Sequence, residues 1–160
     1  RRRRHLGNAF AHVIRQRVRC GWGWTTEGTL GAAVWAAPDQ WKTRPLDSAR
    51  MALPMLRATG VRGVGERLGA LANLERRHPR EPHWYLEVIG ADPTMRGRGV
   101  GTALLRPMIE RCDAEGMPAY LESSKAENLP FYGRFGFEIT DELHLGAGAP
   151  PMWAMWRDPH

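Results

Sequence analysis

Glycines and arginines are concentrated in one short segment, ADPTMRGRGVGTALL, which lies between a predicted strand and a predicted helix. They are Arg96, Gly97, Arg98, Gly99 and Gly101. A helix that starts after such a loop points free backbone N–H groups outward, and its dipole adds partial positive charge. Glycines let the backbone approach a ligand, and arginines match phosphate oxygens. The segment predicts a site for a pyrophosphate-like anion; the alternative is a plain tight turn.

Two well-known phosphate loops do not fit this segment. A Walker A loop needs lysine before its final Ser/Thr, whereas Gly101 is followed directly by Thr102. A dinucleotide fingerprint that starts at Gly97 needs glycine at position 102, and no acidic ribose partner is obvious downstream. The anion site is therefore of another kind.

The composition suits one globular domain that carries excess positive charge. The chain has 160 residues, 42% hydrophobic content and a net charge of +6. Positive charge alone gives only non-specific nucleic-acid affinity, so we expect no specific nucleic-acid partner. No apolar run approaches the ~20 residues of a membrane helix. Two cysteines suggest neither a disulfide framework nor a metal site. We expect a soluble, cytoplasmic protein without a metal.

Hydrophobic periodicity and turn residues predict one α/β domain. The predicted elements are a helix over 3–19, a hairpin over 21–38, one or two helices within 46–77, a linker over 76–82, a strand over 83–91, a helix over 99–115, a strand over 118–124, a short helix and strand within 127–140, and a last strand within 150–159. The helix 99–115 contains Pro107 and should stop at Gly116.

Two motifs in this order resemble the GNAT superfamily of acyl-CoA-dependent N-acyltransferases. Arg96-x-x-Gly99-x-Gly101 is similar to its Q/R-x-x-G-x-G/A signature, and NLPFYGRFGF resembles its downstream Asn-led helix. Residues 81–157 resemble more closely the puromycin N-acetyltransferase family of actinobacteria, through EPHWYL, GRGVGTALLRP, PAYLESS and the tryptophan-rich end. The resemblance implies a mixed, mostly antiparallel sheet with a parallel, splayed strand pair, flanked by helices.

The resemblance also implies how the domain is organised. Residues 1–160 would form a single acetyltransferase domain, in which 1–77 lie on the acceptor side and 78–160 bind acetyl-CoA. Family members begin with a strand and a helix that we expect to be missing ahead of 3–19.

Acetyl-CoA is the cosubstrate that the resemblance implies. The strand end would pair with the pantetheine arm, the loop would hold the pyrophosphate, and an Asn would contact the cofactor. The residues so assigned are Ile89, Gly90, Ala91, Arg96, Gly97, Arg98, Gly99, Val100, Gly101, Thr102 and Asn128.

Acetyl transfer to an amine needs an acid for the departing thiolate and a route for the amine proton. The resemblance makes Tyr132 the general acid. Glu122 and Glu87, on the two walls of the expected thioester slot, are alternative general bases, and a water chain or a pre-neutral amine is a third option. His83 and His144 are weaker alternatives, because such histidines more often lie at the surface or at the end of a strand. Five tryptophans could wall an acceptor pocket or simply form core: Trp22, Trp24, Trp35, Trp153 and Trp156.

The sequence thus predicts acetyl transfer from acetyl-CoA to a primary amine of a small molecule by direct attack in a ternary complex. Two alternatives remain open. One is a protein or peptide N-acetyltransferase; the other is a non-catalytic basic module that binds acyl-CoA or nucleic acid.

Overall fold

A computed structural model describes residues 22–26, 28, 30–42, 64–144 and 150–160. The predicted helix over 3–19 and the helical prediction over 46–63 lie outside the described residues. Within the described ranges, no helix combines the length and apolar content needed to cross a bilayer.

The described chain alternates strands and helices. In chain order they are β1 (Gly23–Thr25), β2 (Gly31–Ala36), α1 (Val64–Arg77), β3 (Trp84–Ala91), α2 (Val100–Glu115), β4 (Ala119–Ser123), α3 (Leu129–Gly133), β5 (Glu138–Leu143) and β6 (Met152–Arg157). Short 3₁₀ turns precede α2 and α3.

The six strands form one mixed sheet in the order β1-β2-β3-β4-β6-β5. β1 and β2 pair antiparallel, which confirms the predicted hairpin. β3 and β4 are parallel neighbours with α2 as their crossover, while the other strand pairs are antiparallel. The predicted fold class, a GNAT-like α/β domain with one parallel strand pair, is confirmed.

Helix α2 supplies the largest apolar stripe of the core. Its buried residues recur at helical spacing: Val100, Leu104, Leu105, Met108, Ile109 and Cys112. They pack against alternate residues of the sheet, including Trp84, Leu86 and Leu121. Pro107 lies on the exposed side of α2, and Gly116 ends the helix at φ 62°, as the sequence predicts.

The opposite face of the sheet carries a smaller and more polar core. Tyr120, Leu143 and Ala154 form its centre, with Leu74 of α1 and Tyr85 of β3 packed against them. The sheet therefore has helices on both faces, and residues that alternate along β3 and β4 reach different environments.

The helix predicted within 46–77 is confirmed over Val64–Arg77, and the predicted linker over 76–82 therefore begins at His78. Arg76 and Arg77 form the last turn of α1, and His78 is buried against the polar face of the sheet. The basic, proline-containing composition suggested solvent, but packing of α1 across the sheet draws the following residue inward.

Arg157, on β6, ties three elements together on the α2 side of the sheet. Its side chain is 3% exposed and donates two hydrogen bonds to the Asp113 carboxylate, at 2.8 and 2.9 Å. Its Nε donates to the Phe135 carbonyl at 2.6 Å. The His160 N–H also donates to Asp113, at 2.9 Å. The planar guanidinium thus links β6, the end of α2 and the turn after α3.

We expect Asp113→Ala to lower the free energy of unfolding by about 2 to 3 kcal/mol, because the buried guanidinium of Arg157 loses its counter-ion. The Arg157 hydrogen bonds hold the pKa of Asp113 below its ordinary value. Their stabilisation is therefore complete above about pH 3.9 and is lost as the pH falls through that lowered value. Urea unfolding at neutral and acid pH should show the difference between wild type and variant shrinking in acid.

Glu110→Ala is the matched control, since it removes an exposed carboxylate from the same helix. Equal urea midpoints for the two variants at neutral pH would mean that the Arg157–Asp113 pair does not stabilise the fold.

Candidate functional site

The parallel strands β3 and β4 separate partway along their length. Their register pairs Trp84 with Ala119, Tyr85 with Tyr120 and Leu86 with Leu121, and then ends. Beyond that point β3 continues against β2 and β4 continues against β6. No strand among the described residues pairs with the backbone edges that face each other across this split, so an extended ligand can be inserted between them.

The glycine loop follows the open end of β3. The Asp92 side chain accepts from the Thr94 backbone N–H at 2.8 Å and caps a 3₁₀ turn over Pro93–Met95. Gly97 and Gly99 then have φ values of 77° and 80°, in the left-handed region that favours glycine. These two positive-φ residues reverse the chain so that α2 starts beside the split.

The first turn of α2 presents backbone donors at this end of the split. The first intrahelical hydrogen bond runs from the Ala103 N–H to the Gly99 carbonyl, at 2.9 Å. The N–H groups of Val100, Gly101 and Thr102 precede it and have no acceptor within the helix. Together with the helix dipole they give this end of the split the partial positive charge that the predicted anion site requires.

A cavity of about 440 Å³ lies between the glycine loop and the segment before α3. It is lined by Ala91, Asp92, Pro93, Arg96, Lys125, Glu127 and Asn128. The structure therefore brings three of the predicted cofactor-binding residues, Ala91, Arg96 and Asn128, to one cavity. Ile89 and Gly90 lie along β3 beside the split, and Arg98 is exposed on the loop without lining the cavity.

Gly101 has a structural reason of its own to be glycine. A β-carbon at this position would lie 2.9 Å from Cζ of Phe131, so the small residue allows the ring of α3 to pack onto the first turn of α2. At Gly97 and Gly99, by contrast, a β-carbon would meet open space. The loop glycines thus have two different roles. Gly97 and Gly99 allow the backbone turn, and Gly101 leaves room for an aromatic ring.

Lys125 is a cavity residue that the sequence interpretation did not single out. It lies in the 123–128 connection, where the Ser123 hydroxyl donates to its carbonyl at 3.0 Å. Its ammonium adds a second cation to the one supplied by Arg96. Its place three residues before Asn128 was the available signal, because the two residues share one short loop.

Tyr132 is buried in α3 on the α2 side of the sheet. Its residue is 5% exposed, and its ring contacts Phe131 and Phe137 edge-on. Its hydroxyl makes no hydrogen bond to any of the described residues. Burial raises the pKa of Tyr132, so the phenol keeps its proton at neutral pH.

Glu122 lies at the base of the split, one residue beyond the last β3–β4 pair, on the face opposite to α2. Its side chain is 3% exposed. The Tyr85 hydroxyl donates to its Oε2 at 2.6 Å, and His78 Nδ1 lies 3.5 Å from its Oε1. Burial and the neighbouring Glu122 charge raise the pKa of Tyr85 well above its ordinary value. Glu87 is half-buried on the other wall of the split.

The two histidines of the sequence interpretation have different surroundings. His83 directly precedes β3, at a strand end, but it is 1% exposed and lies 3.0 Å from His78, Nε2 to Nε2. His144 is exposed on the outer side of β5, with its Nε2 3.4 Å from Glu142 Oε1.

The tryptophans do not form one wall. Trp35 is fully buried, and Trp22 and Trp24 pack on the α2 side of the sheet. Trp156 packs on the opposite side, against Tyr120 and His83. Strand alternation assigns them to separate faces, which favours the core interpretation for Trp35.

Comparison with known proteins agrees with this geometry. A stretch of 83 residues is 37% identical to an uncharacterized N-acetyltransferase of Schizosaccharomyces pombe and covers 50% of this chain and 34% of that protein. Another of 51 residues is 41% identical to the L-methionine sulfoximine/L-methionine sulfone acetyltransferase of Pseudomonas aeruginosa and covers 30% of each chain. The matches thus span about a third of these relatives' lengths.

A solved structure, described as histone acetyltransferase HPA2 and related acetyltransferase from Corynebacterium glutamicum, superposes with a TM-score of 0.59 at 27% identity. It matches over 85% of this chain and 62% of its own. The family model of the Acetyltransferase (GNAT) family matches residues 24–137, which include the split, the glycine loop and α3. With its fold and more than half of its length matched in this way, the chain belongs to the Acetyltransferase (GNAT) family.

Proposed function

We propose that the protein transfers an acetyl group from acetyl-CoA to a primary amine of a small molecule, by direct attack within a ternary complex. One observation carries the proposal: the pairing of β3 with β4 stops partway, and the loop that follows β3 contributes Ala91 and Arg96 to a cavity that Lys125 and Asn128 also line. An extended arm with a phosphorylated end fits this arrangement, and coenzyme A has that shape. Residues 78–160 bind the cosubstrate in this proposal, and 1–77 contribute the acceptor side.

The pyrophosphate binds at the start of α2. Backbone N–H groups of Val100, Gly101 and Thr102 donate to its oxygens, and Arg96 supplies full positive charge. Lys125 contacts the cofactor from the opposite wall, beside Asn128. The pantetheine arm adds to the free edge of β3 at Ile89, Gly90 and Ala91, in the manner of an extra strand.

The thioester then lies near the base of the split, between the two walls. The amine attacks the carbonyl carbon, the C–S bond breaks as the tetrahedral intermediate collapses, and the sulfur receives a proton. Tyr132 is the general acid in this proposal, because its buried phenol is protonated and has no described hydrogen-bond partner.

The amine must lose a proton before or during attack. A simple alkylamine with a pKa near 10.4 is neutral in about one molecule in a thousand at pH 7. Glu122, at the base of the split, is the preferred acceptor of this proton, and Glu87 on the facing wall is the alternative. The position of Glu122 directly after the last β3–β4 pair favours this order, because it places the carboxylate where the split begins.

A small-molecule acceptor is supported by the Pseudomonas relative, which is an acetyltransferase of methionine sulfoximine and methionine sulfone. The resemblance to puromycin N-acetyltransferases supports the same class. A peptide acceptor is the second candidate, because the Corynebacterium structure is described as a histone acetyltransferase. The net charge of +6 weighs against lysine-rich peptides, which it would repel.

The direct test is a screen of acetyl-CoA thioester cleavage over primary amines, with puromycin and amino-acid analogues in one arm and basic peptides in the other. We expect amine-dependent release of coenzyme A in the small-molecule arm. Transfer to peptides alone would show that the acceptor is a peptide and not a small molecule. The absence of transfer to any amine would contradict the enzyme assignment.

We expect Gly99→Glu to weaken acetyl-CoA binding far more than Gly99→Ala does. Both variants force an L-residue into a φ of 80°, at a strain of roughly 1 to 2 kcal/mol. Only glutamate also places negative charge against the pyrophosphate. Calorimetric titration with acetyl-CoA measures the two affinities, and thermal unfolding checks that the two variants are equally folded. Equal loss in both would show that backbone geometry, and not anion binding, is what the glycine provides.

We expect Tyr132→Phe to lower the single-turnover rate by about 100-fold or more, while acetyl-CoA affinity stays within about two-fold. The departing thiolate exists only as the intermediate collapses, so a donor aimed at sulfur acts in that transition state. Phenylalanine keeps the contacts with Phe131 and Phe137, and the fold should be unaffected. A rate within about two-fold of wild type, well under the range for acid catalysis, would make Tyr132 a packing residue.

A further inference from the structure

Five polar side chains, buried or half-buried, form a connected cluster on the sheet face opposite to α2: His78, His83, Tyr85, Tyr120 and Glu122. We call it the acceptor-face cluster. His78 and His83 are 6% and 1% exposed as residues. The ring of His78 stacks on Trp41 with 3.6 Å between centroids and meets Tyr85 and Tyr120 edge-on. The cluster begins at the base of the β3–β4 split and reaches the chain ahead of β3.

The position of one proton in this cluster is determined by a backbone carbonyl. His83 Nδ1 lies 2.6 Å from the Glu81 carbonyl oxygen, which can only accept, so this nitrogen carries a proton. Burial, and then the nearby His78, lower the pKa of His83. His83 is accordingly neutral near pH 7, and its Nε2 is left as an acceptor.

The next contact determines the tautomer of His78. The Nε2 atoms of His78 and His83 are 3.0 Å apart, and two acceptors cannot make that contact. His78 Nε2 therefore carries the proton. If His78 is neutral, its Nδ1 is then a bare nitrogen that faces Glu122.

The third contact needs a proton that two neutral imidazoles cannot supply. His78 Nδ1 lies 3.5 Å from Glu122 Oε1, at ion-pair range, and this oxygen is buried without a hydrogen bond. A bare nitrogen against an ionised oxygen would place two lone pairs opposite each other in a dry site. Three contacts require three protons, while two neutral rings bring two. One further proton belongs between His78 and Glu122.

We propose that Glu122 and His78 share one proton, and that His78 and His83 carry the proton of the acceptor amine away from Glu122. The inference rests on the proposed function, because Glu122 must be the group that the amine meets. His78 and His83 are positioning residues in this account, since they act through Glu122.

The transfer moves one proton from the acceptor amine into the cluster. An N–H bond of the amine breaks, its electron pair stays on nitrogen, and the proton goes to Glu122. The shared proton moves fully to His78 Nδ1, and the Nε2 proton of His78 passes to Nε2 of His83. His83 then holds the transferred proton as an imidazolium, whose Nδ1–H donates to the Glu81 carbonyl and whose Nε2–H donates to His78, until the proton returns along the same path to water after the product leaves. Burial lowers the pKa of His83, which favours loss of this proton. One proton therefore enters the relay and one leaves it in each turnover.

Other ionisable groups face the Glu122–His78–His83 relay from several elements. Tyr85 on β3 donates to Glu122, and Glu87 lies farther along the same strand. Tyr120 on β4 has a buried hydroxyl without a hydrogen bond, and burial and the Glu122 charge raise its pKa. Asp39 and Asp141 contribute weaker charge effects on His83 and Tyr120, respectively. Neither tyrosine ionises near neutral pH, which leaves Glu122, His78 and His83 as the proton carriers.

The test combines histidine NMR with kinetics on the whole chain. Long-range ¹H–¹⁵N spectra should show His83 with its proton on Nδ1, and His78 with Nε2 protonated and Nδ1 partly or fully protonated. Glu122→Gln should convert His78 Nδ1 to a bare nitrogen. A wild-type spectrum in which His78 Nδ1 is bare at neutral pH would overturn the shared proton without any use of activity.

The kinetic arm uses His78→Asn, whose amide still reaches toward Glu122 but cannot carry a proton onward. We expect kcat to fall by about 10-fold or more, with less effect than loss of the general base itself. The KM for the amine should stay within about two-fold of wild type. His144→Asn is the control, because it removes a histidine from an exposed His–Glu pair of similar length. It should leave kcat unchanged.

The outcomes separate this inference from the proposed function. If Gly99→Glu and Tyr132→Phe behave as expected but His78→Asn keeps full kcat, the histidine pair has only a structural role and the inference is wrong. If the wild type transfers acetyl to no amine, the proposed function fails and the relay fails with it. Should His78→Asn be poorly folded by thermal unfolding, Glu122→Gln in the NMR arm still decides where the proton lies.

Discussion

The early end of the pairing between β3 and β4 is the constraint on which the site depends. Two parallel strands that stayed in register would hydrogen-bond to each other along their whole length. No backbone N–H or C=O group on the facing edges would then be free for a ligand. Here the ladder stops at Leu86 and Leu121, and each strand is held open by its other neighbour. The hairpin partner β2 and the inserted strand β6 are thus as necessary to the site as the strands that line it.

The split also separates two chemical environments. On the α2 side lie the glycine loop, Tyr132 and an apolar core in which the fixed charge is the Arg157–Asp113 pair. On the other side lie Glu122 and its histidines. Because successive residues of a strand point to opposite faces, one short strand serves both, with Leu121 and Ser123 directed one way and Tyr120 and Glu122 the other. In the mechanism that we propose, the acid and the base therefore lie in environments that can be tuned independently.

Much of this arrangement could be predicted from local sequence. The α2 stripe, its glycine stop at Gly116 and the positive-φ position of Gly99 follow from periodicity and backbone sterics over a few residues. The parallel neighbours β3 and β4 follow from the strand-helix-strand order. The positively polarised end of the site is likewise local, because a loop and the start of a helix form it.

The remainder depends on contacts between distant segments. His78 sits in a basic stretch with prolines, and only the packing of α1 across β3 and β4 makes it a buried neighbour of Glu122. The sequence around Gly101 does not indicate that the ring of Phe131 packs against this position. The tryptophans could not be assigned to faces without the strand register. Side-chain burial of this kind is set by tertiary structure, which overrides composition.

The position of β6 has a consequence for how the chain acquires its structure during synthesis. β6 follows β5 along the chain yet lies between β4 and β5, and β5 pairs with β6 in the described sheet. A nascent chain that has just exposed β5 therefore holds a strand with no edge to join. The sheet can close only when β6 inserts beside β4 and Arg157 reaches Asp113. β6 supports the wall of the split that bears Glu122. Ligand binding should therefore arise late in folding, together with the final closure of the sheet. Only the completely folded chain should bind its ligand.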